Sequence, residues 1–321
     1  MITLLMPAAE LVTGLALLIV SAEWLTSTSV RLARAMGIQP VIIGLTIIAF
    51  GTSAPELFVS LMAALEGQPD IAVGNVVGSN IANIGLVLGV GAFAYPFVIP
   101  RRIARIELPF LVISIAGFGI ASFMGFISRI TALIFLLFFL CYLLFLWKYK
   151  KGLLADNEPA TAAEEEMENP RYLLRSGIIL ITMVGLVAGS KLLIQGSVQI
   201  ARFFHCPELI IGLTLTAVGT SLPELASTLS AARRRQGGLI IGNVLGSNFA
   251  NTCAVLGLTG IVKPIFINHQ VLMRDLPVMA ALSLVLFPIM SRKRIRRVEG
   301  FLLITAYFTY IAFLYLKSGA A

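Results

Sequence analysis

The chain has 321 residues, of which 58% are hydrophobic and only 12% charged, with a mean hydropathy of +0.94 and a net charge of +8. So few charges cannot cover a surface facing water on all sides, which excludes an ordinary water-soluble globular fold and identifies an integral membrane protein. The basic excess falls in short loops between apolar segments, so it reads as a topology signal, and nucleic-acid binding is not needed to explain it.

Apolar stretches of about 17–25 residues can cross a bilayer as helices. Ten follow in chain order: span 1 over 4–24, span 2 over 39–65, span 3 over 71–95, span 4 over 104–123, span 5 over 128–147, span 6 over 176–200, span 7 over 207–232, span 8 over 239–262, span 9 over 272–290 and span 10 over 298–316. Span 1 has no basic region before it and no small-residue cleavage site after it, so it is expected to be retained rather than cleaved as a signal peptide. Period-two alternation is absent, which argues against a barrel. The expected fold is an all-α integral membrane protein with ten transmembrane helices.

Orientation follows from the 24 Lys and Arg. Eighteen lie after spans 1, 3, 5, 7 and 9, in the groups Arg31 and Arg34, Arg101 to Arg105, Lys148 to Arg175, Arg233 to Arg235, and Arg292 to Arg297. Five, Arg129, Arg202, Lys263, Arg274 and Lys317, lie on the other side, and Lys191 falls within span 6. This bias predicts that both termini are outside the cytoplasm of a multi-pass cell (inner) membrane protein.

Between spans 5 and 6 runs ADNEPATAAEEEMENP, acidic and free of large apolar residues. It reads as a solvated cytoplasmic linker over 151–171 between a first unit, 1–150, and a second, 172–321. Glu164, Glu165, Glu166 and Glu168 lack the alternating Asp/Asn and Gly spacing of a calcium loop.

The two units repeat one another. At an offset of 168 residues, IGLTIIAFGTSAPEL aligns with IGLTLTAVGTSLPEL and GNVVGSNIAN with GNVLGSNFAN, with 26 identities in 47 ungapped pairs from Ile43/Ile211 to Gly89/Gly257. Each unit holds five spans, an odd number, so the second enters the membrane from the opposite side. The units are expected to be inverted five-helix repeats whose matched segments meet near the bilayer midplane.

The chemistry concentrates in GTSAPE (51–56) and GTSLPE (219–224). Gly51 and Gly219 weaken the helix, and Pro55 and Pro223 lack an N–H, so a carbonyl one turn earlier loses its helical partner. An unpaired carbonyl in hydrocarbon costs several kcal/mol and is tolerated where it lines a polar cavity. Glu56 and Glu224 add carboxylates, and the spacing puts Thr52 and Ser53 on the face of Glu56, and Thr220 and Ser221 on that of Glu224. Calcium takes about six to eight oxygens without rigid geometry, so two carboxylates, freed carbonyls and hydroxyls make a suitable cage.

In the second repeated stretch Asn75, Ser79 and Asn83 follow at four-residue spacing, as do Asn243, Ser247 and Asn251, giving each helix one amide and hydroxyl face. Asn80 and Asn248 fall one residue off that face and are expected to cap or bridge helices. A single intramembrane Ser or Thr ordinarily bonds its own helix backbone. A Glu costs about 2.5–3.5 kcal/mol at the bilayer centre and marks function by default. Glu23 and Lys191 also match at the offset, where a structural or snorkelling role competes with a gating one. His205 and His269 lack ligand spacing, and Cys141, Cys206 and Cys253 suggest neither zinc nor a disulfide framework.

GTSxPE with GNxxGSNxxN, present twice around a hydrophilic loop, resembles the cation/calcium exchanger superfamily, in particular its prokaryotic sodium/calcium exchangers. The resemblance implies a secondary active antiporter and no enzyme, with transported calcium and sodium ions and no cofactor. It implies one calcium site and three sodium sites formed by spans 2, 3, 7 and 8, with spans 1 and 6 sliding as a pair to alternate access. Carried over by motif position, Thr52, Glu56, Thr220 and Glu224 hold calcium, and sodium also uses Ser53, Ser79, Asn83, Ser221, Ser247 and Asn251. The large regulatory loop of eukaryotic members is missing.

One position departs from the family pattern, because Asn251 stands where some exchangers carry an aspartate. The cage then holds at most two negative charges, balanced by one calcium, two protons or two sodium ions, whereas three sodium ions would leave a buried net positive charge. Proton-coupled relatives typically read Gly-Asn-Ala with Glu-His in place of this motif, which keeps sodium ahead of proton coupling and leaves a potassium-dependent exchanger as an alternative. A channel would favour a continuous pore without an inverted repeat, and an intramembrane protease would carry aspartates.

Overall fold

A computed structural model describes residues 2–38, 40–99, 101–149, 172–203 and 219–318. Among the described residues the chain is helical: α1 (Ile2–Ala35), α2 (Pro40–Thr52), α3 (Ala54–Leu65), α4 (Pro69–Ala94), α5 (Arg101–Phe123), α6 (Arg129–Tyr149), α7 (Tyr172–Phe203), α8 (Leu222–Arg233), α9 (Gly237–Val262), α10 (Val271–Ser291) and α11 (Arg297–Ser318). Eight of these are long and apolar enough to cross a membrane, and α2 with α3, bent by 40° at Ser53, makes a ninth span. Of the ten expected spans, span 7 is described only in its second part, α8. Its residues 207–218 lie outside the described residues, as do the linker 151–171, His205 and Cys206.

Span 1 is longer than its hydropathy indicates. The helix continues past residue 24 to Ala35, so Arg31 and Arg34 belong to α1 and not to a loop. Its extension carries buried Thr26, Thr28 and Ser29, and a stretch whose polar side faces other helices loses hydropathy without losing helicity. α7, with 32 residues, also runs beyond its expected 176–200 at both ends.

Small residues decide which helices occupy the centre. The apolar window of α9 is 100% buried and that of α4 83%, against 22% for α1 and 17% for α11. A Cβ at Gly242 would fall 2.5 Å from the Val41 carbonyl oxygen, and one at Gly246 would fall 2.6 Å from that of Leu45, so only glycine lets α9 lie against α2. Glycines also join α1 to α7: a Cβ at Gly14 would meet the Leu193 nitrogen at 2.5 Å, and one at Gly196 the Pro7 oxygen at 2.5 Å.

Two antiparallel ladders of two residues each interrupt the all-α pattern. β1 (Phe97–Val98) pairs with β4 (Arg294–Ile295), and β2 (Phe126–Ile127) with β3 (Ile265–Phe266). They satisfy backbone groups between helices. Adding 168 to β1 gives β3, and adding it to β2 gives β4, so the offset exchanges one ladder for the other.

Candidate functional site

Each GTSxPE motif is built alike. Ser53 leaves the helix at φ −82°, ψ 6°, and Ser221 does so at φ −87°, ψ 6°. A new helix starts directly after each serine, with Pro55 and Pro223 in its first turn, where a missing N–H costs nothing. Glu56 and Glu224 therefore stand in the first turn of α3 and α8, where the positive end of the helix dipole favours a carboxylate. The break also means that Thr52 and Glu56 do not share one continuous helical face, as their spacing alone implies.

The two carboxylates are wholly buried, both at 0% exposure, and close enough to interact electrostatically. The Ser53 hydroxyl donates across the unit boundary to Glu224 Oε1 at 3.4 Å. Thr52 and Ser247 also surround the Glu224 carboxylate, and Ser79 faces Glu56 without reaching hydrogen-bond geometry. Thr52 Oγ1 lies 3.4 Å from Asn243 Oδ1 and 3.5 Å from Ser247 Oγ, while Ser247 Oγ donates to the Ala49 carbonyl at 3.4 Å. Asn83 and Asn251 are buried, each at the start of a π-helical turn, Asn83–Leu88 and Asn251–Val255. Such turns are uncommon and frequent at functional sites.

Buried polar atoms are normally paired, yet six oxygens of this set have no hydrogen-bond partner among the described residues: both of Glu56, Oε2 of Glu224, Oδ1 of Asn83 and of Asn251, and Oγ of Ser221. Thr220 differs from its match Thr52 in being half-buried; it borders a cavity of about 450 Å³ with Asn75 and Ser79. Nothing among the described residues packs on Gly74 or Gly78 there, although their matches Gly242 and Gly246 are covered by Val41 and Leu45. The matches of those two covering residues, Leu209 and Leu213, lie outside the described residues. Among the described residues no group of three or more His, Cys, Asp or Glu forms, and the wholly buried carboxylates of the site are those of Glu56 and Glu224.

Several residues act differently from their sequence expectation. Asn75 is a support: its amide donates to the Glu56 carbonyl at 3.0 Å and to Ser60 Oγ at 2.9 Å, which ties α3 to α4. Asn243 does the same for Glu224 and Thr228 at 3.5 and 3.4 Å, and adds Ser227 at 3.0 Å. The carbonyl freed by Pro223, that of Gly219, accepts the Ser190 hydroxyl of α7 at 2.6 Å. Asn80 and Asn248 bridge helices as expected, Asn80 donating to Thr252 Oγ1 at 2.8 Å and Asn248 to the Asn80 carbonyl at 3.2 Å.

Sequence reasoning missed two acid–tyrosine pairs. Tyr142 donates to Glu107 at 2.6 Å, joining α6 to α5, and Tyr310 donates to Asp275 at 2.9 Å, joining α11 to α10; in each the tyrosine follows the acid by 35 residues. Both residues of one pair match the other at the 168 offset, and Glu-Leu-Pro (107–109) against Asp-Leu-Pro (275–277) is the signal that could have found them.

Membrane-spanning helices packed around two wholly buried, matched carboxylates define the class as a helical membrane transporter. The sodium/calcium exchanger protein family matches over residues 7–148 and again over 175–316, two segments that are themselves 168 residues apart. The chain is 38% identical over 303 residues to the putative antiporter CaxA of Alkalimonas amylolytica, covering 92% of this chain and 95% of that protein. It is 32% identical to the sodium/calcium exchanger MaX1 of Methanosarcina acetivorans, covering 95% and 97%. A solved structure of the sodium-calcium exchanger NCX_Mj superposes with a TM-score of 0.83 at 31% identity, covering 96% of this chain and 98% of that one. The chain belongs to the sodium/calcium exchanger family and is a cation antiporter of the prokaryotic exchanger type.

Proposed function

We propose that the protein exchanges calcium for sodium across the cell membrane by alternating access. The observation that carries the reading is the pair of wholly buried carboxylates, Glu56 and Glu224, at matched helix breaks and surrounded by unpartnered oxygens. The ion ligands are Thr52, Ser53, Glu56, Ser79 and Asn83 from residues 1–150, and Thr220, Ser221, Glu224, Ser247 and Asn251 from 172–321. Six oxygens without a partner among the described residues suit the appetite of calcium for about six to eight.

Residues 1–150 and 172–321 form inverted five-helix repeats joined by the cytoplasmic linker 151–171, with both termini outside. The two family matches at one offset, the exchanged ladders and the paired π turns at Asn83 and Asn251 support this reading. In the cycle α1 and α7 move as a pair past the site and open it to one side at a time.

The count of two acids favours a second reading, calcium/proton exchange, since one calcium and two protons each balance two carboxylates. Radioactive calcium uptake by proteoliposomes under imposed sodium, potassium or pH gradients tests both readings. Sodium-driven, gradient-reversible uptake supports the first, uptake driven by pH alone replaces it with the second, and uncoupled conductance refutes an exchanger.

A further inference from the structure

The pair α1 and α7 is fastened internally. Beyond its glycine contacts, Gln199 donates to Glu10 at 2.8 Å, Arg175 to the Arg31 carbonyl at 3.0 Å and Tyr172 to the Ala35 carbonyl at 2.9 Å. The pair also lies across both helix breaks of the site. A Cβ at Gly51 would collide with Met183 of α7, and one at Gly219 with Ile194 of α7.

Among the described residues Glu23 ties this unit to the site-bearing helices by ion pairs. Glu23 of α1 accepts from Arg234 at 3.1 and 2.9 Å, with Arg233 at 3.7 Å, at the end of α8. Adding 168 to Glu23 gives Lys191 on α7, and subtracting it from Arg234 gives Glu66, the residue that ends α3. The sign of charge is reversed at both positions. A Glu23–Arg234 contact carried into the other repeat therefore becomes Lys191–Glu66, again an acid on a base. A reversal at one position alone would have produced like charges. In this structure Lys191 and Glu66 are both exposed and make no ion pair among the described residues.

We infer that Glu23–Arg234 and Lys191–Glu66 are charge-swapped latches, one for each end state of the cycle, and that Glu23 and Lys191 are positioning residues that set the balance between those states. The proposal rests on the alternating-access reading and adds the contacts that select its states. In an inverted repeat the opposite state is reached by exchanging the roles of the halves. The geometry that now brings Glu23 to Arg234 then brings Lys191 to Glu66 and parts the first pair. The latch formed in this structure sits where α8 ends, at Arg233 and Arg234. Being part-exposed, each latch shifts the balance modestly and can break on every turnover, whereas a buried ion pair would hold one state.

Cysteine pairs test this in full-length protein in proteoliposomes, with Cys141, Cys206 and Cys253 replaced. Glu23→Cys with Arg234→Cys and Glu66→Cys with Lys191→Cys are each expected to form a disulfide, and never both in one molecule. Adding Glu23→Gln should speed the 66–191 cross-link by about two- to five-fold, the worth of one part-exposed ion pair. Lys191→Gln should speed the 23–234 cross-link to a similar extent. Glu23→Lys with Arg234→Glu should restore the original 66–191 rate, which a merely structural effect of Glu23→Gln would not predict. The latch proposal is overturned if wild-type protein exchanges ions while the 66–191 pair never cross-links, or if Glu23→Gln leaves that rate unchanged. Calcium flux in vesicles of the wild-type protein separates the two readings: cross-links that alternate without sodium-driven calcium flux refute the cargo and leave the latches standing.

Discussion

Replacing Glu224 with Gln removes a charge while nearly preserving shape. The carboxylate is at 0% exposure, and among the described residues its hydrogen bond, from Ser53 to Oε1, is long at 3.4 Å. The amide oxygen of Gln can accept that bond, and its NH₂ takes the place of Oε2, an atom with no protein partner. Packing is thus retained, and the variant is expected to fold and insert. Calcium then faces one carboxylate where two balanced it, which leaves a buried net charge. Breaking a buried ion pair by removing one partner costs about 3–5 kcal/mol, and that corresponds to a loss of affinity of roughly 150- to 5,000-fold. Without calcium the effect has the opposite sign, because two neighbouring carboxylates no longer have to share a dry site, so the ion-free variant should unfold at a higher temperature than wild type. Glu56→Gln, whose two carboxylate oxygens are both unpartnered, should behave alike. The assays are sodium-driven calcium uptake by proteoliposomes and thermal unfolding with and without calcium. Full exchange by either variant would refute the assignment of both acids as ligands.

Protons and calcium compete for the same carboxylate oxygens, so acidification should inhibit uptake and added calcium should oppose that inhibition. Asn251→Asp and Asn83→Asp each add a third acid and should remain active near neutral pH while becoming more sensitive to pH; superimposable pH profiles with unchanged sodium dependence would mean that these amides do not face the ions. A protease site inserted near Glu165 should be cut only from the cytoplasmic side, and cleavage from outside in intact cells would overturn the orientation. Gly246→Ala places a Cβ 2.6 Å from the Leu45 carbonyl oxygen and should destabilise the protein by about 1–3 kcal/mol, read as a lowered unfolding midpoint in detergent.

Much of this protein is written locally in its chain. Hydropathy locates the eight described spans and the broken ninth, though not the full length of α1, because burying a bare backbone in hydrocarbon leaves helices as the workable element in a chain without strand alternation. The 168-residue offset finds the repeat, and the cost of an intramembrane carboxylate picks out Glu56 and Glu224, since each of these signals depends on residue type and spacing and not on neighbours in space. What spacing could not decide was how side chains divide the work once helices pack. Asn75 and Asn243 stand in register with the ion face and yet support the glutamates' backbone, because the bend at Ser53 and Ser221 turns the Glu56 and Glu224 carbonyls toward them. The reach of α1 to Ala35 stayed hidden because its polar residues face other helices. The ion pair of Glu23 with Arg234, 211 residues away in sequence, exists only through packing. A contact between distant segments leaves no periodicity in either one, so only the tertiary structure could set Glu23 against Arg234 and hold Lys191 apart from Glu66.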